Sequence, residues 1–363
     1  MNFNQPQLIS SLLQKGAYNH PTSKIKVEET HISWIVLTGK YAYKLKKEIK
    51  FGKVLDFTTL QLRQLFCHKE VILNRILCRD MYKGVVKIVR LNESDQCGNN
   101  DNNDFKVQIV GLRQKAVALD YAVKMRQISQ RFRMDNLVAA NKVELKTIEK
   151  LAHILVEFHH FTPTNITIKY FGSPKYIRKK VLENFETLRK LYDHSKNSND
   201  DDDNDNAITI SKLENKLISF IAGNKSLFNK RISENKVRDI HGDLYMKNIF
   251  IPQKNTVYLY DRIEFNDYLR YADVAEDVAH LCMDMDYHRI SKLKKHFLSC
   301  YINESNDFEL KLVLPFLMCY KACVRAKVSA FKARNERNTK VKARCLREAR
   351  DHLELAQSYH ELF

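Results

Sequence analysis

Glycine and proline are scarce in this chain, with nine Gly and six Pro in 363 residues. So few breakers exclude a chain built mainly of loops and fit long regular elements. The eight Cys include no C-x-x-C pair, which disfavours a zinc site. Cys319 and Cys323 stand at helical i,i+4 spacing, and reduced, mostly buried thiols are expected. Long apolar runs are missing too. MNFNQPQLISSLLQKGAYNHP lacks the apolar stretch of a signal peptide, and the most apolar stretch, Leu312 to Val324, is interrupted by Pro315 and Lys321. These absences predict a cytoplasmic protein with no membrane span. What remains is an ordinary globular composition, 44% hydrophobic and 29% charged, long enough for about two domains.

Charge is in excess of one sign. The formal net charge is +18, and half of that excess falls between Lys321 and Arg350, where eleven Lys/Arg stand against Glu336 and Glu348. A solvated face of one or two helices accounts for such a run, and an anionic substrate or nucleic acid is the sharper reading. Aromatic residues are not interleaved with these cations as base stacking requires, so nucleic acid is not the expected partner.

The string HGDLYMKNIF at 241–250 carries the chemistry. Asp243 and Asn248 stand in the spacing D-x-x-x-x-N, and Asp261 follows thirteen residues later in LYDRIEFND. Phosphoryl transfer from a metal-bound nucleotide needs such a set: a base for the acceptor hydroxyl and two oxygen ligands for Mg2+. From Asn248 to Asp261 the sequence reads as a hairpin, with Ile249–Ile251 and Val257–Tyr260 as strands around a polar turn. Antiparallel pairing sets the entering Asn beside the leaving Asp, in reach of one ion. His241 and Lys247 are supporting candidates within the same string. A capped turn, with Asp and Asn satisfying backbone donors, is the bland alternative.

Upstream, residues 31–46 read as a β-hairpin around Thr38-Gly39, and 85–91, 105–111 and 121–125 as strands. Residues 58–77 read as a helix whose apolar stripe is Leu62, Leu65, Phe66, Ile72, Leu73, Ile76 and Leu77. Residues 143–161 read as another, with Ile148, Leu151, Leu155 and Phe158 on one face. The pattern is α+β: a helical extension at 1–24, a small lobe at 25–128, and a mainly helical part at 129–363 holding the catalytic loop 241–248, Asp261 and basic C-terminal helices. Polar low-complexity insertions fall at 92–104 and 195–207, the second expected as a disordered surface segment. The boundary after Met125 has no Pro/Gly linker, which predicts a hinge rather than a tether.

Lys44 and Lys46 share one face of the second strand of the hairpin by period two, and either can point inward. Glu70 rides the edge of the helical stripe, where an acid faces the neighbouring sheet and suits pairing with one of them. Ordinary surface charges are the alternative. No G-x-G-x-x-G or P-loop string is present, which leaves phosphate binding to backbone amides of an ordinary turn and to the lysine. Asp273 and Asp277, at i,i+4, either accept backbone N–H groups of the catalytic loop or cap their own helix. Glu264 is either a second metal ligand or a rim charge.

Seven strings in order over residues 29–328 carry a family resemblance: ETHISWIVLTGKYAYKLKK, FCHKEVILNRIL, MYKGVVKIV, DYAVKMRQI, HGDLYMKNI, YDRIEFNDYLRYADVAEDVAHL and YKACVRAKV. They resemble the aminoglycoside phosphotransferase family within the protein-kinase-like fold, and more narrowly its bacterial and archaeal "aminoglycoside phosphotransferase family enzyme" group. The resemblance implies a two-lobed fold, with a small antiparallel β-rich N-lobe with one main helix and a larger, mainly helical C-lobe. It implies ATP held between the lobes, Mg2+, and phosphate transfer to a hydroxyl of a small molecule. On that pattern Asp243 is the base, Asn248 and Asp261 are the magnesium ligands, Lys44 is the nucleotide lysine and Glu70 its helix partner. Residues 121–128, Met125 among them, fall where the hinge meets adenine. Lys46 and Arg325 are further supporting candidates. Two departures concern the acceptor side. Tyr245 stands where the family usually has His, and Lys247 where relatives often have Arg, which loses the bidentate fork.

An ATP-dependent small-molecule kinase, with nucleotide and acceptor as its partners, is the reading these features share. A non-catalytic kinase-fold nucleotide-binding module acting through the basic helices is the alternative, and it predicts binding without turnover. A metallophosphoesterase needs more clustered His and Asp than the chain shows. The acidic run from Asp261 to Asp286 suits a polycationic aminoglycoside, but metal and structural roles draw on it and the helices that follow are basic. A neutral or anionic acceptor, such as a sugar or sugar phosphate, is therefore expected.

Overall fold

Residues 5–52, 54–91, 106–193, 201–253 and 256–363 are described in the computed structural model, with 193 and 201–206 described by their backbone only. They fall into two compact units. The first gathers the chain up to Arg133 together with Phe250–Pro252 and Tyr258–Asn266. The second holds Met134–Ile249, Gln253–Val257 and Asp267–Phe363.

Strand alternation organises the first unit. After α1 (Gln5–Ser11), the strands β1 (Lys26–Glu29), β2 (Ser33–Leu37) and β3 (Tyr41–Lys46) form an antiparallel meander. The β2–β3 turn passes through Gly39 at φ +95°, where a Cβ would also collide with the Ser23 side chain, so glycine is required twice over. A short hairpin of β4 (Lys50–Phe51) and β5 (Leu55–Asp56) leads to α2 (Leu60–Cys78). Then β6 (Tyr82–Arg90), β7 (Val107–Gly111) and β8 (Ala118–Arg126) complete a six-stranded sheet in the order β1-β2-β3-β8-β6-β7. On β3 the pleat sends Tyr43 and Leu45 to one face, where Leu8, Ile9 and Leu12 of the N-terminal segment cover them. It sends Ala42, Lys44 and Lys46 to the other, where Ala42 joins Cys67, Val71 and Cys78 of α2.

The α2 helix has the expected period but not the expected phase. Thr59 caps it by accepting from the Leu62 N–H. Of the predicted stripe, Leu73 is buried and Leu62, Phe66 and Leu77 are half-buried, but Leu65, Ile72 and Ile76 are 56%, 66% and 61% exposed, while Arg63, Cys67, Glu70, Val71 and Asn74 are buried. Ion pairing outweighs apolar area here. Arg63 reaches Asp120 at 3.0 Å and Glu70 meets the β3 lysines, so the charged face turns inward.

The second unit is mainly helical. It begins with α3 (Met134–Ala139), α4 (Leu145–Phe161), α5 (Ile166–Tyr170), α6 (Pro174–Asp193), α7 (Asp201–Gly223) and α8 (Lys225–Ser233). The α4 helix buries Ile148, Leu151, Leu155 and Phe158, the expected face. Next in the chain come β9 (Val237–Asp239), the catalytic segment, the hairpin of β10 (Ile249–Gln253) and β11 (Thr256–Leu259), most of which belongs to the first unit, and β12 (Tyr271–Asp273), which pairs back onto β9. Four helices follow: α9 (Ala275–Tyr287), α10 (Ser291–Ser305), α11 (Leu310–Asn335) and α12 (Thr339–His360). Among the described residues, no helix is long and apolar enough to cross a membrane.

The insertion expected at 92–104 lies outside the described residues, as does the start of the one at 195–207. From Asp201 that second segment opens α7 as helix rather than loop. The apolar repeat Ile210, Leu213, Leu217 and Ile221, each at most 2% exposed, secures the helix, and propagation carries it back toward Asp201.

Candidate active site

In the first unit two lysines meet three carboxylates. Lys44 Nζ lies 3.0 Å from Glu70 Oε1 and 2.5 Å from Asp261 Oδ1. Lys46 bonds the other oxygen of Glu70 and also Glu264. Alternation allows either lysine to serve Glu70, and the structure uses both, one on each oxygen. Burial works to neutralise Lys44, but Asp261, Glu70 and Glu264 hold it well above the ordinary lysine value. Burial likewise opposes the charge on Lys46, and Glu264 and Glu70 raise it in turn. Both remain cations. Glu264 is only 2% exposed and is neither a rim charge nor an open metal ligand, because it is the buried counter-ion of Lys46.

The segment carrying Asp261 packs with this first unit rather than with the helical part expected at 129–363. Its carboxylates pair with β3, and Asn74 of α2 grips its backbone. The Arg262 N–H donates to Asn74 Oδ1 at 2.9 Å, and Asn74 Nδ2 donates to the Arg262 carbonyl at 3.4 Å. Asp261 itself has φ +64°, a left-handed conformation that non-glycine residues adopt at a cost. Its side chain is 40% exposed, whereas Glu70 and Lys46 are fully buried. Met125 sits on the α2 side of the sheet, 6% exposed in the core with Ala42 and Val123.

In the second unit carboxylates hold backbone. From β9 the chain turns through Gly242 at φ +88°. Asp277 of α9 accepts from the His241 N–H at 2.7 Å and the Gly242 N–H at 2.9 Å. Asp284, two turns along α9, accepts from the Met246 N–H at 2.8 Å. Burial alone would raise the Asp277 pKa, but His159, 3.1 Å from its Oδ2, and His241 bring it below the ordinary carboxylate value. Tied near both ends, the loop presents Asp243 with a side chain 38% exposed. Asn248 Nδ2 donates to the Asp243 carbonyl at 2.9 Å, which orients the amide so that its Oδ1 can face a cation.

The two alternatives for Asp273 and Asp277 divide between them. Asp277 supports the catalytic loop. Asp273 caps its own helix by accepting from the Ala275 N–H at 2.9 Å, and Arg231 binds both its oxygens at 2.5 and 2.7 Å. Tyr245 stacks on His280 with ring centroids 5.5 Å apart and planes 12° from parallel, and the Arg325 guanidinium lies 4.7 Å from the Tyr245 ring centre. His280 Nδ1 is 3.8 Å from Asp243 Oδ1. Burial, then Lys321, Arg325 and His241, push the His280 pKa well below 6.5, so its imidazole is neutral at pH 7. Lys247 is exposed.

Four residues that the sequence reading did not single out shape these clusters: Asn74, His159, His280 and Asp284. Three had a signal. Asn74 stands one turn beyond Glu70, while Asp277, His280 and Asp284 recur at i, i+3 and i+7 on one face of α9. His159 had none, since its partner Asp277 is 118 residues away. Among the described residues, no three His, Cys, Asp or Glu side chains gather to hold a metal ion. Magnesium takes oxygen donors, which Asn248 in the second unit and Asp261 in the first each present.

No family model matches the sequence. Uncharacterised proteins of Mycobacterium tuberculosis and Mycobacterium bovis are each 28% identical over 312 residues, covering 85% of this chain and 56% of theirs. The chain thus spans about half the length of the curated relatives it matches. Among solved structures, a choline kinase from Cryptosporidium parvum Iowa II aligns over 98% of this chain and 95% of that one, at 9% identity and a TM-score of 0.53. A likeness at that identity bears on fold alone. With its antiparallel sheet in one unit and its helices in the larger other, the chain has the protein-kinase-like fold.

Proposed function

We propose that this chain is an ATP-dependent small-molecule kinase of the aminoglycoside phosphotransferase family, acting on an alcohol. The observation that carries this reading is the tethered loop at 241–248. Asp277 and Asp284 hold three of its backbone N–H groups, and Asp243 presents a carboxylate that is 38% exposed. An anchored loop with a solvent-accessible acid is what proton abstraction from a hydroxyl requires.

In the reaction Asp243 takes the hydroxyl proton as the acceptor oxygen bonds to the γ-phosphorus and the P–O bond to ADP breaks. The products are a phosphate ester and ADP. Lys44, aimed by Glu70, binds the nucleotide phosphates, and its bond to Asp261 gives way as they arrive. Asn248 and Asp261 are the residues that would hold Mg2+, and the ion would neutralise phosphate charge when bound. The strand end around Met125 serves adenine. Lys46 acts at one remove, holding Glu264 and with it the Asp261 segment.

The test is phosphate-ester formation from labelled ATP and Mg2+ over a panel of hydroxylated metabolites, with Asp243→Asn beside the wild type. The variant is expected to lose about 100- to 10,000-fold in kcat while still binding nucleotide. Unchanged turnover in the variant would remove Asp243 as the base. Nucleotide binding with no transfer to any acceptor would favour a non-catalytic binding module.

A further inference from the structure

Around the catalytic loop six carboxylates are occupied, while two cations of α11 make no ion pair among the described residues. Asp267 is bound by Arg270 at 2.7 Å, Asp273 by Arg231, Glu276 by Lys180 at 2.5 Å and Lys321 at 3.0 Å, and Asp286 by Lys294 at 2.6 Å. Asp277 and Asp284 take the loop's own N–H groups. A polycationic acceptor would find none of these six carboxylates free, and displacing one would unseat a buried ion pair or the loop itself.

The cations of α11 are placed differently. Lys321, Arg325 and Lys332 stand at i, i+4 and i+11, within about 40° of one another around the helix axis. Lys321 is committed to Glu276. Arg325 and Lys332 are half-buried, and among the described residues neither makes a hydrogen bond or ion pair. The carboxylates that act on Arg325 at longer range are Asp243, Asp284 and Glu348. The first is the proposed base, the second holds the Met246 N–H, and the third faces Arg344 at 3.8 Å. Burial, and then Arg325 and Lys247, lower the Lys332 pKa, the mark of cations crowded together.

Geometry links this patch to the base. The Arg325 guanidinium lies against Tyr245, Tyr245 stacks on His280, and His280 Nδ1 is 3.8 Å from Asp243. His280 is 2% exposed, and neither of its ring nitrogens makes a hydrogen bond among the described residues. The stack pre-organises the guanidinium without neutralising it.

We infer that the acceptor carries an anionic group, a phosphate or a carboxylate, set apart from the hydroxyl that reacts, and that Arg325 and Lys332 hold it. The inference rests on the kinase reading above. A planar guanidinium takes such an oxyanion through two parallel N–H bonds, with Lys332 adding a point charge. Tyr245 serves as the platform for that guanidinium. The anion and the transferred phosphoryl group thus have separate cations, those of α11 and Lys44.

The test uses acceptors matched except for charge: glycerol against glycerate and glycerol 3-phosphate, glucose against glucose 6-phosphate, with choline and kanamycin as cations. Steady-state kinetics with Mg-ATP and thermal shifts by each acceptor alone are measured on wild type, Arg325→Gln, Arg325→Lys, Lys332→Gln and Arg347→Gln. An anionic compound is expected to exceed its neutral match in kcat/KM by about tenfold or more. Arg325→Gln should raise the KM of that compound about 10- to 100-fold, Arg325→Lys should recover part of it, and Lys332→Gln should show the same selective loss. Arg347→Gln, an exposed cation of α12, should change nothing.

Neutral or cationic compounds used as well as anionic ones would overturn the inference. So would an equal kcat loss for every acceptor in Arg325→Gln, which would put Arg325 on the transferring phosphoryl group. If an anionic compound stabilises the wild type but not Arg325→Gln, and no compound is phosphorylated, the anion site stands and the kinase reading falls. If no anionic compound binds or reacts better than its neutral match, the inference falls while the kinase reading is judged by turnover of the others.

Discussion

In the first unit buried lysines are neutralised side chain to side chain, by Glu70, Glu264 and Asp261. In the second, the buried acids Asp277 and Asp284 are satisfied largely by backbone N–H groups, with His159 as a further donor to Asp277. The two arrangements do different work. Ion pairs position charges and leave Asp261 the most exposed of the three acids. Acid-to-backbone bonds position the chain itself, and so fix where the Asp243 carboxylate emerges. A kinase needs both, since the nucleotide arrives with its own charge and the acceptor hydroxyl does not.

The largest effect that separates the two arrangements should come from Lys46. Lys46→Met strands Glu264 and one oxygen of Glu70 in the interior, and is expected to cost about 3–5 kcal/mol in urea unfolding. Pairing it with Glu264→Leu should recover most of that loss. A double variant no more stable than the single one would show that the cluster is not an ion-paired unit.

Acid should act next, and on the second unit. Burial, with Arg325 adding to it, lowers the His352 pKa to about 4, and the residue is 4% exposed. Above pH 6.5 this histidine is neutral whether folded or unfolded, so it contributes no slope. From pH 6.5 down to 4 only the unfolded chain takes up the proton, and stability falls by about 3 kcal/mol before levelling off. His280, lowered for the same reason, adds in the same direction. Glu276 is shifted in the same direction but acts in a lower window. Burial opposes its ionisation, but Lys180 and Lys321 bring its pKa down to about 2, so the stability it supplies above pH 4.5 disappears between pH 4.5 and 2. Melting temperature followed from pH 8 to 3 tests this, and His352→Gln should flatten the upper window. The same slope in that variant would assign the acid sensitivity elsewhere.

A smaller loss is expected at Asp277. Asp277→Asn keeps one acceptor oxygen but loses the charge that His241, Gly242 and His159 address, at about 1–3 kcal/mol. Its kcat should fall while the nucleotide KM holds, because Asp277 acts on the loop and not on the phosphates. A change confined to KM would contradict that assignment. Smallest of all is the outer face of α2. Ile72→Ala should shift stability by no more than about 0.5 kcal/mol, against about 2 kcal/mol for Val71→Ala on the buried side. Equal losses would mean that the face of α2 described as exposed is covered.

Much of the site was legible residue by residue. The D-x-x-x-x-N spacing marked Asp243 and Asn248, period two put Lys44 and Lys46 on one face, and the edge position of Glu70 pointed it at the sheet. The α2 stripe was misleading because hydrophobic period reports that a helix has a preferred face, while charged partners decided which face that was. The run at 201–207 looked like loop by composition, yet the apolar repeat beyond it extends a helix through that segment. Glu264 was ambiguous for a related reason: its partner Lys46 is 218 residues away.

By itself the sequence determined the order of elements, the meander with its obligatory Gly39 turn, the long helices of the second unit and the candidate loop that carries Asp243. These depend on local periodicity and on residue types that few other positions can substitute. Only tertiary structure decided that both lysines share Glu70, that Glu264 is a counter-ion, that Asp277 rather than Asp273 holds the loop, and that Arg325 lies on Tyr245. Each of those is a pairing across many residues, where several partners are chemically equivalent and burial selects one.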